Sequence, residues 1–210
     1  MSVNGLHVAT RLLRLSLRPD GRLAKSPLLA ATVRAALLAD LAEHGALTGG
    51  ATGLELDTTP TGFEPADRLL AGVAAQPDQT LEWWVRRGPN SIRDVVAELL
   101  GAGLWIREDG RSRFWDTEPA GVRADAARLR SVLEGAVADT PSTAVLAVLL
   151  GVTGTDALAG GQHPTDANLA ACGSARWLMG DLVDYLLARR RLLAAAADDA
   201  RVSLFMNSIP

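Results

Sequence analysis

The segment from Ser26 to Gly45 constrains the fold more than any other part of the chain. Ser26-Pro27 is a helix-opening pair. A serine hydroxyl caps free backbone N–H groups, and proline suits the first helical position, where its missing N–H is not needed. Leu29, Val33, Ala36, Leu37 and Leu41 then recur at helical spacing and share one face. Gly45 is the expected stop, because glycine tolerates the left-handed conformation that ends many helices. Such a helix needs other elements to cover it.

The remaining sequence supplies them. Hydrophobic residues make up 48% of the 210 positions but aromatics only 4%. The core must therefore come mainly from Leu, Val and Ala, which favours helices. Residues 6–17 read as a helix ended by the Pro19-Asp20-Gly21 turn. Residues 65–75 carry Leu69, Leu70 and Val73 at helical spacing, Thr80 can cap a short helix bearing Trp83 and Trp84, and Gly88-Pro89 closes it. A helix over 91–102 points Ile92, Val95, Val96, Leu99 and Leu100 inward, with Gly103 as its end. Further helices are expected over 121–138, 142–152 and 174–197. Leu54-Glu55-Leu56 alternates like a short strand, followed by a turn cluster over 57–62. Leu104-Trp105-Ile106 and Arg113-Phe114-Trp115 flank Glu108-Asp109-Gly110-Arg111 as a hairpin. Residues 153–173 are rich in Gly and Ala, lack clear periodicity and read as a long loop. The expected fold is mostly α, a compact helical bundle with a small β-hairpin, in one domain over 1–210 that diverges from about residue 153.

The charge balance excludes some partners. Net charge is -3 with a pI near 5.6, so no nucleic-acid partner is expected. Lys25 is the only lysine, and the other cations are arginines. Arginine suits bidentate phosphate contacts, but codon bias in a GC-rich genome explains the whole-chain excess more simply. Cys172 stands alone, so no disulfide can form within the chain. No signal peptide is expected over residues 1–10. The most apolar long stretch, 175–197, is broken by Asp181, Asp184 and Arg189 to Arg191. A cytoplasmic protein is expected, at most peripheral at the inner membrane face.

No catalytic constellation stands out. His7, His44 and His163 are far apart in sequence, without partners at metal-ligand spacing, so no metal site is expected. Gly151-Val152-Thr153-Gly154 lacks the ending of a phosphate loop, and no cofactor is expected. Asp57 precedes a Thr/Pro/Gly run that reads first as a turn, and Cys172 has no identifiable base. Two features rise above this background. Arg34 interrupts an otherwise apolar helix, where pairing on the solvent side is the simplest role. Trp105, Phe114 and Trp115 sit on a hairpin that needs something to pack against: its own helices, a second subunit or a membrane.

The order of segments resembles the Golgi phosphoprotein 3 family (GPP34), in its bacterial branch. The resemblance rests on Leu12-Leu13-Arg14-Leu15-Ser16-Leu17, on Val33-Arg34-Ala35-Ala36-Leu37-Leu38-Ala39-Asp40-Leu41-Ala42-Glu43-His44-Gly45-Ala46-Leu47, and on Gly53-Leu54-Glu55-Leu56-Asp57. Ala66-Asp67-Arg68-Leu69-Leu70, the Trp84 helix, Ala97-Glu98-Leu99-Leu100-Gly101-Ala102-Gly103-Leu104 and the hairpin follow in order. It is traced from about residue 6 to 152 and is weak beyond. It implies a helical domain around a central bundle, with a β-hairpin that mediates oligomerisation. Eukaryotic members are cytosolic peripheral membrane proteins that bind phosphatidylinositol 4-phosphate and help retain glycosyltransferases in the Golgi. Their headgroup pocket uses a tryptophan, an arginine on the early helix, and two arginines one turn apart at a later helix start. Arg34 falls on the early-helix arginine, and Lys25 stands where the tryptophan is expected. Arg93 matches one of the later pair, and Asn90 replaces the other.

The expected function is accordingly that of a peripheral binding protein for an anionic lipid headgroup or other phosphorylated ligand. Arg34, Arg93, Asn90 and Lys25 are its ligand-binding candidates. Trp105, Phe114 and Trp115 are the candidates for contact with a membrane or for homo-oligomerisation through the hairpin. The alternative is an enzyme or accessory protein of small-molecule (secondary metabolite) biosynthesis on the same scaffold. For that reading the catalytic residues are unknown, with Asp57, His163 and Cys172 as guesses. A third reading is an oligomeric scaffold that also uses the apolar Val202-Ser203-Leu204-Phe205-Met206 tail.

Overall fold

The computed structural model describes residues 7–50, 53–89, 92–108, 111–154 and 163–206, with side chains inside the last helix described through residue 198. In chain order the elements are α1 (Val8–Leu15), α2 (Leu29–Glu43), β1 (Leu47–Gly50), β2 (Gly53–Leu56), α3 (Glu64–Ala75), α4 (Leu81–Arg87) and α5 (Ile92–Gly101). Then come β3 (Trp105–Arg107), β4 (Phe114–Asp116), α6 (Pro119–Leu133), α7 (Pro141–Thr153), α8 (Asp166–Ala170) and α9 (Arg176–Met206). The fold is mostly α, with two small antiparallel hairpins, β1–β2 and β3–β4. Among the described residues no helix is long and apolar enough to cross a membrane.

Helix α2 is the axis of the bundle. Its sequence suggests one buried face, but only Ala30, Arg34 and Glu43 escape burial along it. α1, α3, α4, α7 and α9 all pack on it, so alanines that look like a weak face become close-packing surfaces. α7 is the second inner helix, buried from Thr143 through Val152. α2 begins at Leu29 rather than at Pro27. Ser26 Oγ accepts from Leu28 N at 3.3 Å, so the serine shapes the preceding turn. Gly45, at φ 72°, ends the helix. The Gly45 N–H bonds Ala42 O at 3.1 Å and the Ala46 N–H bonds Leu41 O at 2.9 Å, a Schellman arrangement.

Other boundaries move for local reasons. α6 stops at Leu133, five residues before the expected 138, because Gly135 at φ 107° turns the chain away. Residues 153–173 are not a uniform loop: α8 lies within them, opened by a reciprocal cap between Thr165 and Asn168. Residues 155–162 of that stretch lie outside the described residues. The expected strand at Leu54 has a partner the sequence pattern did not reveal, with Leu47 opposite Leu56. Glycines weaken a strand signal, yet here they make room: a Cβ on Gly49 would come within 2.8 Å of the Trp177 ring. α9 runs through Met206 and so includes the apolar tail segment, whose side chains lie outside the described residues.

Two arginines of α1 tie distant elements to the core. Arg11 is 2% exposed and forks onto Asp125 of α6, with Nε at 3.0 Å and Nη2 at 2.6 Å. Arg14, also 2% exposed, forks onto Asp116 of β4 at 2.7 and 2.8 Å. A guanidinium tolerates such burial only when its charge and N–H groups are met. Asp116 also accepts from Trp105 Nε1 at 3.1 Å and from Glu118 N at 2.8 Å, which locks the β3–β4 hairpin to α1.

Candidate functional site

Arg34 sits on α2 facing the end of α4. Its Nε donates to Val85 O at 2.6 Å and its Nη2 to Arg86 O at 3.1 Å. Backbone carbonyls hold the guanidinium here, because a helix C-terminus exposes carbonyls that attract a cation. Burial lowers the Arg34 pKa from arginine's ordinary value, and the nearby Tyr185 of α9 opposes part of that shift. Gly88 makes the approach possible. A Cβ there would lie 2.5 Å from Trp84 O and 3.0 Å from Arg34 Cδ.

The joint between α4 and α5 gathers further positive charge. Arg86 and Arg87 are exposed in the last turn of α4, where the helix dipole favours them. Arg93 is exposed in the first turn of α5. Asn90 lies outside the described residues. Lys25 is exposed in the segment leading into α2. Arg86 and Arg87 were not among the sequence candidates. The signal that could have found them is their place in the final turn before Gly88-Pro89.

A second feature borders this region. α4 and α9 flank an open cleft of about 500 Å³ whose lining includes Glu82, Asp181, Asp184 and Tyr185. Its carboxylates give the cleft a negative lining.

The hairpin sorts its aromatics by face. Trp105 is 2% and Phe114 7% exposed; both pack on the chain's own core, with their rings stacked 5.3 Å apart. Trp115 points outward at 47% exposure, directly opposite Ile106 at 60%. Of the three aromatics named for a membrane or subunit contact, Trp105 and Phe114 thus have their surfaces covered within the chain, since strand alternation sends every second residue inward. Ile106, absent from the sequence candidates, joins Trp115 on the outer face. The segment before α2 backs this hairpin, with Phe114 N bonded to Gly21 O at 2.7 Å. Arg18, Arg22 and Lys25 lie on that segment, and Arg107, Arg111 and Arg113 on the hairpin. Asp20 pairs with Arg18 at 3.8 Å, and Glu108 with Arg111 at 3.4 Å and Arg113 at 3.5 Å.

The titratable residues weighed for catalysis are scattered. Asp57 is exposed and accepts from Thr59 N at 2.9 Å in a turn; these Thr59 hydrogen bonds lower its pKa. Cys172 is buried, its S–H reaches Asn168 O at 3.3 Å, and burial pushes the thiol up to about 12. His163 is exposed and meets Arg191. His7 and His44, distant in sequence, are stacked 5.3 Å apart at the ends of α1 and α2. Among the described residues no group of three or more His, Cys, Asp or Glu side chains is placed to hold a metal ion.

The family model described as Golgi phosphoprotein 3 (GPP34) matches residues 8–189. The matched span continues past residue 152, through α8 and into α9. No curated protein matches the chain.

Proposed function

We propose a function from one premise: the chain belongs to the Golgi phosphoprotein 3 family. The function is that of a peripheral binding protein for an anionic lipid headgroup or another phosphorylated ligand. The observation that carries it is the half-buried Arg34 guanidinium, held in a fixed orientation by Val85 O and Arg86 O. The carbonyls fix where this charge sits, and an oriented guanidinium loses less freedom when it attracts an anion. Arg86, Arg87 and Arg93 add exposed positive charge at the same joint, and Lys25 adds to the basic surface beside the hairpin. Juxtamembrane cations of this kind contribute about 1 kcal/mol each near an anionic surface. Ile106 and Trp115, on a hairpin that also carries Arg107, Arg111 and Arg113, suit the interface between headgroups and acyl chains, or the matching face of a second subunit.

Co-sedimentation with vesicles of phosphatidylcholine alone, or with phosphatidylglycerol, cardiolipin or a phosphoinositide added, tests this reading. Binding is expected only to the anionic vesicles and is expected to weaken as salt rises. Arg93→Ala, and the pair Arg86→Ala with Arg87→Ala, should weaken it while leaving the fold intact, because all three side chains are exposed. Binding that survives Arg34→Ala combined with Arg93→Ala removes the assignment of the site.

A further inference from the structure

Two adjoining recesses open beside α7, on elements separate from the Arg34 site. One, of about 100 Å³, is bordered by Leu133, Ala147, Val148 and His163. The other, of about 330 Å³, lies between the end of α6 with the chain after it, from Val132 to Ala138, and Ala167 and Ala171 of the α8 region. Leu133, Thr165 and Asn168 border both, so the two form one cleft. Together they reach the lower end of the size range of small-molecule sites, with aliphatic side chains from α6 and α7 beside polar groups.

The polar groups of this cleft have fixed roles. Arg191 Nη2 lies 3.2 Å from His163 Nε2. A guanidinium only donates, so Nε2 accepts in this contact and Nδ1 is the ring's donor. Asn168 Oδ1 accepts from Thr165 N at 2.9 Å and from Thr165 Oγ1 at 2.7 Å. A backbone N–H can only donate, so that atom is the amide oxygen and the Asn168 NH₂ is directed elsewhere. Neither the His163 Nδ1–H nor the Asn168 NH₂ has a protein partner among the described residues. Two side-chain donors therefore border an aliphatic cleft, with the Arg191 charge behind one of them. Glu134, the acidic member of the lining, borders only the second recess.

We propose that this cleft binds a small amphiphile, with an apolar body lying along α7 and α8. Its hydrogen-bond-accepting head, a carboxylate or carbonyl, meets His163 and Asn168. The Arg191 guanidinium behind the ring favours an anionic head. This site is independent of the lipid-headgroup reading: it shares no residue with it and does not require a membrane.

The test titrates ¹⁵N-labelled full chain with monomeric decanoate, and separately with decyltrimethylammonium, which has the same tail but no accepting head. Decanoate should give saturable shifts at Leu133, Val148, Thr165 and Asn168. Ala167→Trp, at an exposed position, should fill the cleft and abolish them. Asn168→Asp keeps an oxygen for the Thr165 bonds but removes the donor, and His163→Phe keeps a ring without one. Each should weaken decanoate roughly tenfold or more, with an unchanged melting temperature. The proposal is overturned by absence of saturable shifts, by shifts that persist in Ala167→Trp, or by equal binding of both amphiphiles that neither donor variant alters. It is also overturned if Ala167→Trp instead abolishes self-association through the exposed Val137 rim, which would make the cleft a contact between copies.

Discussion

The carboxylate of Asp40, deep in α2, accepts the backbone N–H of Val8 at 2.8 Å. Its other oxygen takes the Ala9 N–H at 3.1 Å. A side chain from another helix thus caps the start of α1, whose own flanking residue, His7, makes no side-chain cap. Asp40 is 2% exposed, so this contact lies inside the core rather than at the surface. Asp40→Ala should cost about 1–3 kcal/mol, because two buried N–H groups lose their acceptor. Asp40→Asn, which keeps one acceptor, should cost less. Chemical denaturation of the three chains checks the order.

The same corner predicts a pH effect. Burial pushes the Asp40 carboxyl up to about 7, against the Val8 and Ala9 hydrogen bonds that favour its charge. Burial, with help from His44, pushes His7 down to about 4, while Asp67 opposes. Between pH 4 and 7 the folded chain holds a proton on Asp40 that the unfolded chain has released, so this group's contribution to stability falls as pH rises. Between pH 4 and 6.5 the unfolded chain holds a proton on His7 that the folded chain lacks, so that contribution rises with pH. The two slopes oppose each other. Burial raises Glu43 as well, which adds to the Asp40 sense. His7→Phe removes the opposing slope and keeps a ring against Phe63, 4.0 Å from the present imidazole. Urea midpoints should then fall with rising pH from 4 to 6.5 more steeply in the variant than in the parent. Parallel profiles would show that His7 contributes nothing.

Arg14→Met should be among the costliest single changes on α1. It leaves Asp116, whose side chain is 7% exposed, without its cation, and breaking such buried pairs costs about 3–5 kcal/mol. Changing Asp116→Asn in the same chain removes the stranded charge. The double variant should therefore be more stable than the sum of the single losses implies, measured as a double-mutant cycle.

The two hairpin tryptophans should separate cleanly. Trp105→Ala empties a core position and should cost about 3–5 kcal/mol. Trp115→Ala, on the outer face, should change thermal stability little. If the outer face meets a membrane or a second subunit, Trp115→Ala should reduce vesicle binding or the mass seen by light scattering while the melting temperature holds.

Much of the fold was legible because it is written locally. Thr80 caps α4 by accepting from Trp83 N at 3.2 Å, and Gly103 ends the α5 region at φ 69°. The hairpin appears one residue later than its sequence signal, at Trp105–Arg107 and Phe114–Asp116. The site was less legible. Arg34 stood out as a charge in an apolar run, but its carbonyl partners belong to α4, and no spacing rule links residues that far apart. Ile106 is a candidate only in the fold, because its exposure opposite Trp115 follows from the strand pairing.

The sequence by itself determined which segments are helical and where glycines break them, since periodicity and turn residues act within a few positions. Tertiary structure alone decided that α2 is covered on all sides, that Arg11 and Arg14 point inward to Asp125 and Asp116, and that Asp40 caps another helix. Those choices depend on pairing buried charges and N–H groups across long chain separations. Burial makes such pairing obligatory, but no local pattern records the partner.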